Sequence, residues 1–227
     1  MSKTHSKFLL TGFGPFPGVP HNVSSAFAKT LADTAARCFR QVEFEAACLP
    51  TVWQEAPLQL ERLYYLHRPT IALHFGVSHL AKTIVVETTA RNCTGRPDAL
   101  GVEPDQEQLL PGGASAHSAS VPVGRLVARL RNVGVPAVVS HDAGAYLCNA
   151  LLYHSIELMR VLREDGQCGF IHLPVSLPVR SARDVNRRGD RLDFDRAVEG
   201  GLEMIGTLLG RAPMVARGQG SFRRMMA

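Results

Sequence analysis

The chain has 227 residues, 45% of them apolar and 20% charged, an ordinary globular composition that excludes a largely disordered polypeptide and favours one substantial hydrophobic core. A formal net charge of +5 would suit an acidic partner, but the arginines are scattered and no DNA or RNA module signature is present, so no nucleic acid is expected. No apolar run approaches the ~18 residues of a membrane span, and Phe8-Leu9-Leu10, cut off by Gly12, Gly14 and Pro15, is too short for a signal peptide; a cytoplasmic protein with no membrane partner is expected.

Taken in order, Lys7 to Gly12 reads as a buried strand that runs into the turn-rich loop Thr11 to Gly18. Two phenylalanines on that loop, Phe13 and Phe16, either plug the core edge or wall a pocket, since open α/β sheets place ligands at strand carboxyl ends. Asn22 or Ser24 can cap the next helix, on which Phe27, Leu31 and Ala35 recur at helical spacing. Val42, Phe44, Ala46 and Cys48 alternate with polar residues, the period of a half-buried strand near an edge with Cys48 on its apolar face. A helix is predicted over 54–66, with Leu58, Leu63 and Leu66 among its apolar positions, and a short buried strand over 71–76.

The run Thr83 to Thr89 is strongly β-forming and carries Glu87 inside it. A buried carboxylate needs a partner, and two are open: Arg91, as a structural ion pair, or an imidazole. Cys93 to Val121, rich in Gly and Pro, reads as a long irregular excursion with room for a small hairpin, the sort of segment that serves as a lid or contact surface. A helix over 122–133 ended by Gly134, a strand at Ala137, a helix through Cys148 to about Arg163, a strand over 169–174 and a helix over 192–209 complete the pattern. The alternation predicts an α/β class, a three-layer α/β/α single domain with a mixed, largely parallel central sheet. Its core is expected over about 7–212, with a mobile basic tail over 213–227.

Cys148 falls in the first turns of its helix, where unpaired N–H groups and the positive end of the dipole favour a thiolate nucleophile. Among Leu147, Leu151 and Leu152 it could equally be a small buried hydrophobe. His172 ends a strand and is followed by Pro174; it is either a packed structural histidine or a base facing a cleft. Five cysteines without CxxC spacing argue against disulfides and structural zinc. His74, His79, His141 and His172 match no ligand spacing, so a metal-dependent hydrolase is the weaker rival and no metal or cofactor is expected. A catalytically idle binding protein is the other rival.

Taken together, several motifs resemble the pyroglutamyl peptidase I (pyrrolidone-carboxylate peptidase) family of cysteine peptidases. They are Leu10-Thr11-Gly12-Phe13-Gly14-Pro15-Phe16 with Asn22 and Ser24, Val86-Glu87 with Asn92, Pro97-Asp98 with Gly101, Pro111-Gly112-Gly113, Ser140 with Ala143-Gly144, Tyr146-Leu147-Cys148-Asn149, and Phe170-Ile171-His172-Leu173-Pro174. The resemblance implies a Cys148 nucleophile, a His172 base and a Glu87 that orients the imidazole. It also implies that Phe13 and Phe16 wall a pyroglutamyl ring, with Asn22 near the site and Arg96, on a loop that looks shortened, close to the acyl group. The implied substrates are peptides with N-terminal pyroglutamate, cleaved through an acyl-enzyme. Gly76-Val77-Ser78-His79-Leu80 stands where many bacterial members have Gly-Gln-Ala-Gly-Gly and looks more like the animal branch. Bacterial relatives tend to be tetramers and animal ones monomers, so a homo-oligomer stays open.

Overall fold

A computed structural model describes residues 6–163, 165–177 and 192–211; the basic tail expected over 213–227 lies outside these. Strand β1 (Lys7–Phe13) is apolar almost throughout because both its faces are covered, and helix α1 (Val23–Cys38) follows, capped by the side chain of Asn22, which accepts from the Ser24 N–H. After them come β2 (Glu43–Leu49), α2 (Glu55–His67), β3 (Ile71–Ser78), β4 (Ile84–Glu87), β5 (Thr89–Arg91), β6 (Ala116–Ser118) and α3 (Val123–Asn132). The chain continues through β7 (Ala137–Ser140), α4 (Leu147–Leu162), β8 (Gln167–Pro174) and α5 (Phe194–Leu208).

Six strands form one sheet in the order β2-β1-β3-β8-β4-β7. Every pairing in it is parallel except β4 against β8, so the sheet is mixed and largely parallel as the alternation predicts. Successive residues of a strand point to opposite faces, and β1 feeds both cores in this way. Leu10 belongs to the core that also holds Phe27 and Leu31 of α1, Leu126 of α3 and Val198 of α5, whereas Leu9 belongs to the one with Leu60 of α2 and Leu151 of α4. Three layers result, with α1, α3 and α5 on one face of the sheet and α2 and α4 on the other.

Four local expectations change. Cys48 is exposed instead of lying on an apolar face: β2 is the edge strand, and Cys48 sits at its carboxyl end, paired with Gly12, beyond the stretch where Phe44 and Ala46 pack on the core. Helix α2 buries Ala56, Leu60 and Tyr64, leaving Leu58 and Leu66 exposed. The run Thr83 to Thr89 is not one strand. Thr88 is a corner, its N–H donating to the Ser140 carbonyl and its own carbonyl accepting from Ala119, and beyond it β5 pairs antiparallel with β6. The excursion after Cys93 is therefore bracketed by that hairpin rather than containing it.

Gly12 and Gly76 are glycines for reasons of space. A Cβ on Gly12 would lie 2.3 Å from the Ser24 backbone, so any side chain would push the first turn of α1 off β1. Beneath the sheet's centre His74 is fully buried, its Nδ1 2.7 Å from Thr11 Oγ1 and its Nε2 2.8 Å from Ser155 Oγ, and Ser155 in turn bonds Tyr64. Burial lowers its pKa to about 3, so it is a neutral structural link between β1, β3 and α4.

Candidate active site

Parallel strands β1, β3 and β8 end on the same side of the sheet, and the loops beyond them surround a cavity of about 680 Å³. Cys148 reaches it from the first turn of α4, whose N-cap residue Tyr146 supplies no side-chain cap. The N–H groups of that turn are left available to an anion in the cavity. The cysteine is half-buried and lies over Gly76 of β3, where an added Cβ would come within 3.0 Å of its sulfur and 2.8 Å of the Phe170 ring. Gly76 therefore makes the room that Cys148 occupies.

His172, near the end of β8, is the next strand's contribution, and Glu87 comes from β4 on the far side. Because β4 runs antiparallel to β8, Glu87 pairs with Phe170 in the ladder and its side chain extends to His172. The His172 Nδ1–H donates to Glu87 Oε1 at 2.8 Å, and Cys148 lines the same cavity beside the imidazole. Burial alone would pull this imidazole down, but the neighbouring Cys148 and then Glu87 outweigh it and raise the pKa from 6.5 to about 10. Glu87 is 2% exposed and its Oε2 has no hydrogen-bond partner among the described residues, so the imidazolium is what balances its charge. The alternative partner is engaged elsewhere: Arg91 pairs with Asp142.

The remaining expected residues lie in the same cavity. Phe13 and Phe16 both line it, and they differ in depth: Phe13 belongs to the core with Leu49 and Trp53, while Phe16 is half-buried on the loop, its backbone bridged to Val19. This makes Phe13 both a core plug and a pocket wall. Asn22 also lines the cavity, but its amide is committed to the loop, donating to the Gly14 carbonyl and accepting from Ser24. Arg96 stacks its guanidinium on the Tyr146 ring, 4.5 Å from the centroid.

Three supporting residues had no role assigned from the sequence, although Asp98 and Asn149 stand in the motifs quoted above. The Trp53 indole N–H donates to the Arg96 carbonyl and its ring meets Tyr146 edge-on, so it props the wall that holds Arg96. Asp98 fastens the same joint by accepting from the N–H groups of Trp53, Leu100 and Val102; burial opposes its charge, but these three donors hold its pKa below the usual carboxylate range. Asn149, fully buried beside Cys148, accepts from Arg91 N–H and donates to the carbonyls of Arg91 and Cys93. A tryptophan alone in the sequence and an asparagine after the cysteine were the available signals.

No group of three or more His, Cys, Asp or Glu suited to a metal occurs among the described residues. None of the described helices is long and apolar enough to cross a membrane.

The α/β fold is the one that solved peptidase structures also adopt. A family model described as pyroglutamyl peptidase matches residues 6–207, and the chain belongs to that family and is a hydrolase of the pyroglutamyl-peptidase I type. The chain is 30% identical to a pyrrolidone-carboxylate peptidase of Oceanobacillus iheyensis over 194 residues, covering 85% of this chain and 96% of that protein. It is 32% identical to the Pyrococcus furiosus pyrrolidone-carboxylate peptidase over 173 residues, 74% of this chain and 80% of the other. The solved structure of a mutant pyrrolidone carboxyl peptidase from Pyrococcus furiosus superposes with a TM-score of 0.78 at 26% identity, covering 90% and 98% of the two chains. Bacillus amyloliquefaciens pyroglutamyl peptidase I gives a TM-score of 0.74 at 28% identity, over 88% and 94%.

Proposed function

We propose that this protein cleaves the amide bond after an N-terminal pyroglutamyl residue by cysteine nucleophilic catalysis, with Cys148, His172 and Glu87 as the triad. The observation that carries the proposal is that Cys148, His172 and Glu87 line one cavity, with Glu87 Oε1 2.8 Å from His172 Nδ1. The Cys148 thiolate attacks the pyroglutamyl carbonyl carbon, forming a C–S bond while the carbonyl oxygen takes up negative charge near the N–H groups of the α4 first turn. His172 delivers its proton to the departing amine as the C–N bond breaks. Water then attacks the thioester, its proton passing to His172, and the C–S bond breaks to release pyroglutamate. Glu87 holds the imidazole with Nδ1–H toward itself and stabilises its charged form. No cofactor is required.

Phe13 and Phe16 offer flat apolar walls to the neutral lactam ring, and Asn22 shapes the loop that carries Phe16. Arg96 stands near the acyl group on a wall held by Tyr146 and Trp53. A cytoplasmic setting suits a thiol nucleophile, which must stay reduced. The test compares specificity constants for pyroglutamyl, prolyl and glutaminyl versions of one fluorogenic amide. A prolyl ring brings a charged ammonium and lacks the lactam carbonyl, so a gap of roughly 10³-fold to 10⁴-fold is expected. Equal cleavage of all three would overturn the pocket assignment.

A further inference from the structure

We infer that the turn from Ser78 to Ala81, together with Val85, forms the subsite for the residue that follows pyroglutamate, and that it favours an apolar side chain there. The inference rests on the pyroglutamyl reading above and adds to it a preference for the second residue of the substrate.

The order of strands divides the cavity about Cys148. Cys148 lies over Gly76 of β3, and the ring-side residues Phe13, Phe16 and Thr51 come from the ends of β1 and β2, on one side of it. His172 is on β8, the next strand in the opposite direction, and the leaving amine must lie on that side because His172 has to protonate it. The cavity lining on that side comes from Ser78, His79, Leu80 and Ala81 between β3 and β4, from Val85, which pairs with His172 in the ladder, and from Asp142 beyond β7.

Leu80 is 91% exposed, although it lines a cleft. A lone exposed leucine needs no explanation, but this one is held in place at the mouth of a site. The Ser78 hydroxyl accepts from the Leu80 N–H at 3.2 Å, and the Ser78 carbonyl accepts from Ala81 and Val175, which ties the turn to the end of β8. With Ala81 and Val85 it offers an apolar surface continuous with the catalytic cleft. The acid on this side, Asp142, is already paired with Arg91, so a basic second residue would find no free carboxylate among these lining groups. An acidic one would have to leave water for a surface made mainly of Leu80, Ala81 and Val85, with His79 the one imidazole of the turn. An apolar one would remove Leu80 from water.

The experiment measures kcat/KM on pyroglutamyl-Xaa amides with Xaa as leucine, glycine or aspartate, for the wild-type chain and for Leu80→Ser and Leu80→Lys. Ratios within each enzyme cancel differences in folded concentration, and an exposed turn residue does not threaten the fold. The leucine-to-aspartate ratio should be about tenfold or more in the wild type, drop severalfold in Leu80→Ser, and drop further in Leu80→Lys, where aspartate gains a partner. A wild-type ratio near unity, or one unchanged in both variants while the substrates are still cleaved, overturns the subsite alone. Failure of the wild type to cleave any pyroglutamyl amide removes the parent reading and the subsite with it.

Discussion

Glu87 Oε1 and His172 Nδ1 meet at 2.8 Å across the antiparallel seam between β4 and β8, the one such pairing in the sheet among the described residues. The seam is what lets a strand of opposite direction bring its carboxylate to the imidazole from behind. Glu87→Gln keeps the shape and removes the charge, so kcat should fall about 10³-fold with a small change in melting temperature. Steady-state kinetics beside thermal unfolding measures both; collapse of stability with normal turnover in the folded fraction would make Glu87 structural.

His172, between Cys148 and Glu87, sets a pH dependence. The His172 pKa is raised above its unfolded value of 6.5 to about 10, so the folded protein holds a proton that the unfolded chain releases in that interval. The resulting stabilisation is fully present below about pH 6.5, declines above it, and is lost as the pH passes through about 10. Urea unfolding of the wild type and of His172→Gln across this window should give midpoints that converge at the alkaline end.

Gly76→Ala tests the room made for Cys148, the proposed nucleophile. The added Cβ would press on the Cys148 sulfur and on the Phe170 ring, which is enclosed in the core and cannot swing away. A displacement of even part of an ångström at the attacking atom is expected to lower kcat/KM about 10²-fold, with a stability loss of about 1–3 kcal/mol. Alkylation of Cys148 at the wild-type rate and unchanged kinetics would contradict it.

Phe13 and Phe16 should separate by depth. Phe13, 3% exposed in the core, should cost about 3–5 kcal/mol on substitution by alanine and also raise KM. Phe16→Ala on the half-buried loop should raise KM with little loss of stability. Chemical denaturation and Michaelis kinetics on both variants distinguish a shared wall from a core plug.

These outcomes depend on features of unequal visibility in the sequence. Continuous apolar runs made β1 and β8 legible, and chemistry-bearing residues at the ends of elements made Cys148 and His172 stand out against their neighbours. The partner of Glu87 needed tertiary structure to choose between Arg91 and an imidazole, since both were within reach of the pattern. Helix α2 has apolar residues on most of its circumference, so periodicity could not tell that Leu60 and Tyr64, not Leu58 and Leu66, face α4. The Trp53–Arg96–Asp98 joint links segments more than 40 residues apart by bonds between side chain and backbone, which leave no periodic trace. The turn at Thr88 lies inside a β-forming run, and propensity alone hid it.

The most direct test of the central claim is a titration of the protein with a substoichiometric thiol alkylator, with residual pyroglutamyl-amide cleavage plotted against the alkylated fraction of each cysteine found by peptide mass mapping. Activity should fall in a straight line to zero as Cys148 reaches full occupancy, whatever the state of Cys38, Cys48, Cys93 and Cys168. Activity that survives complete alkylation of Cys148, or that tracks another cysteine, would contradict the account.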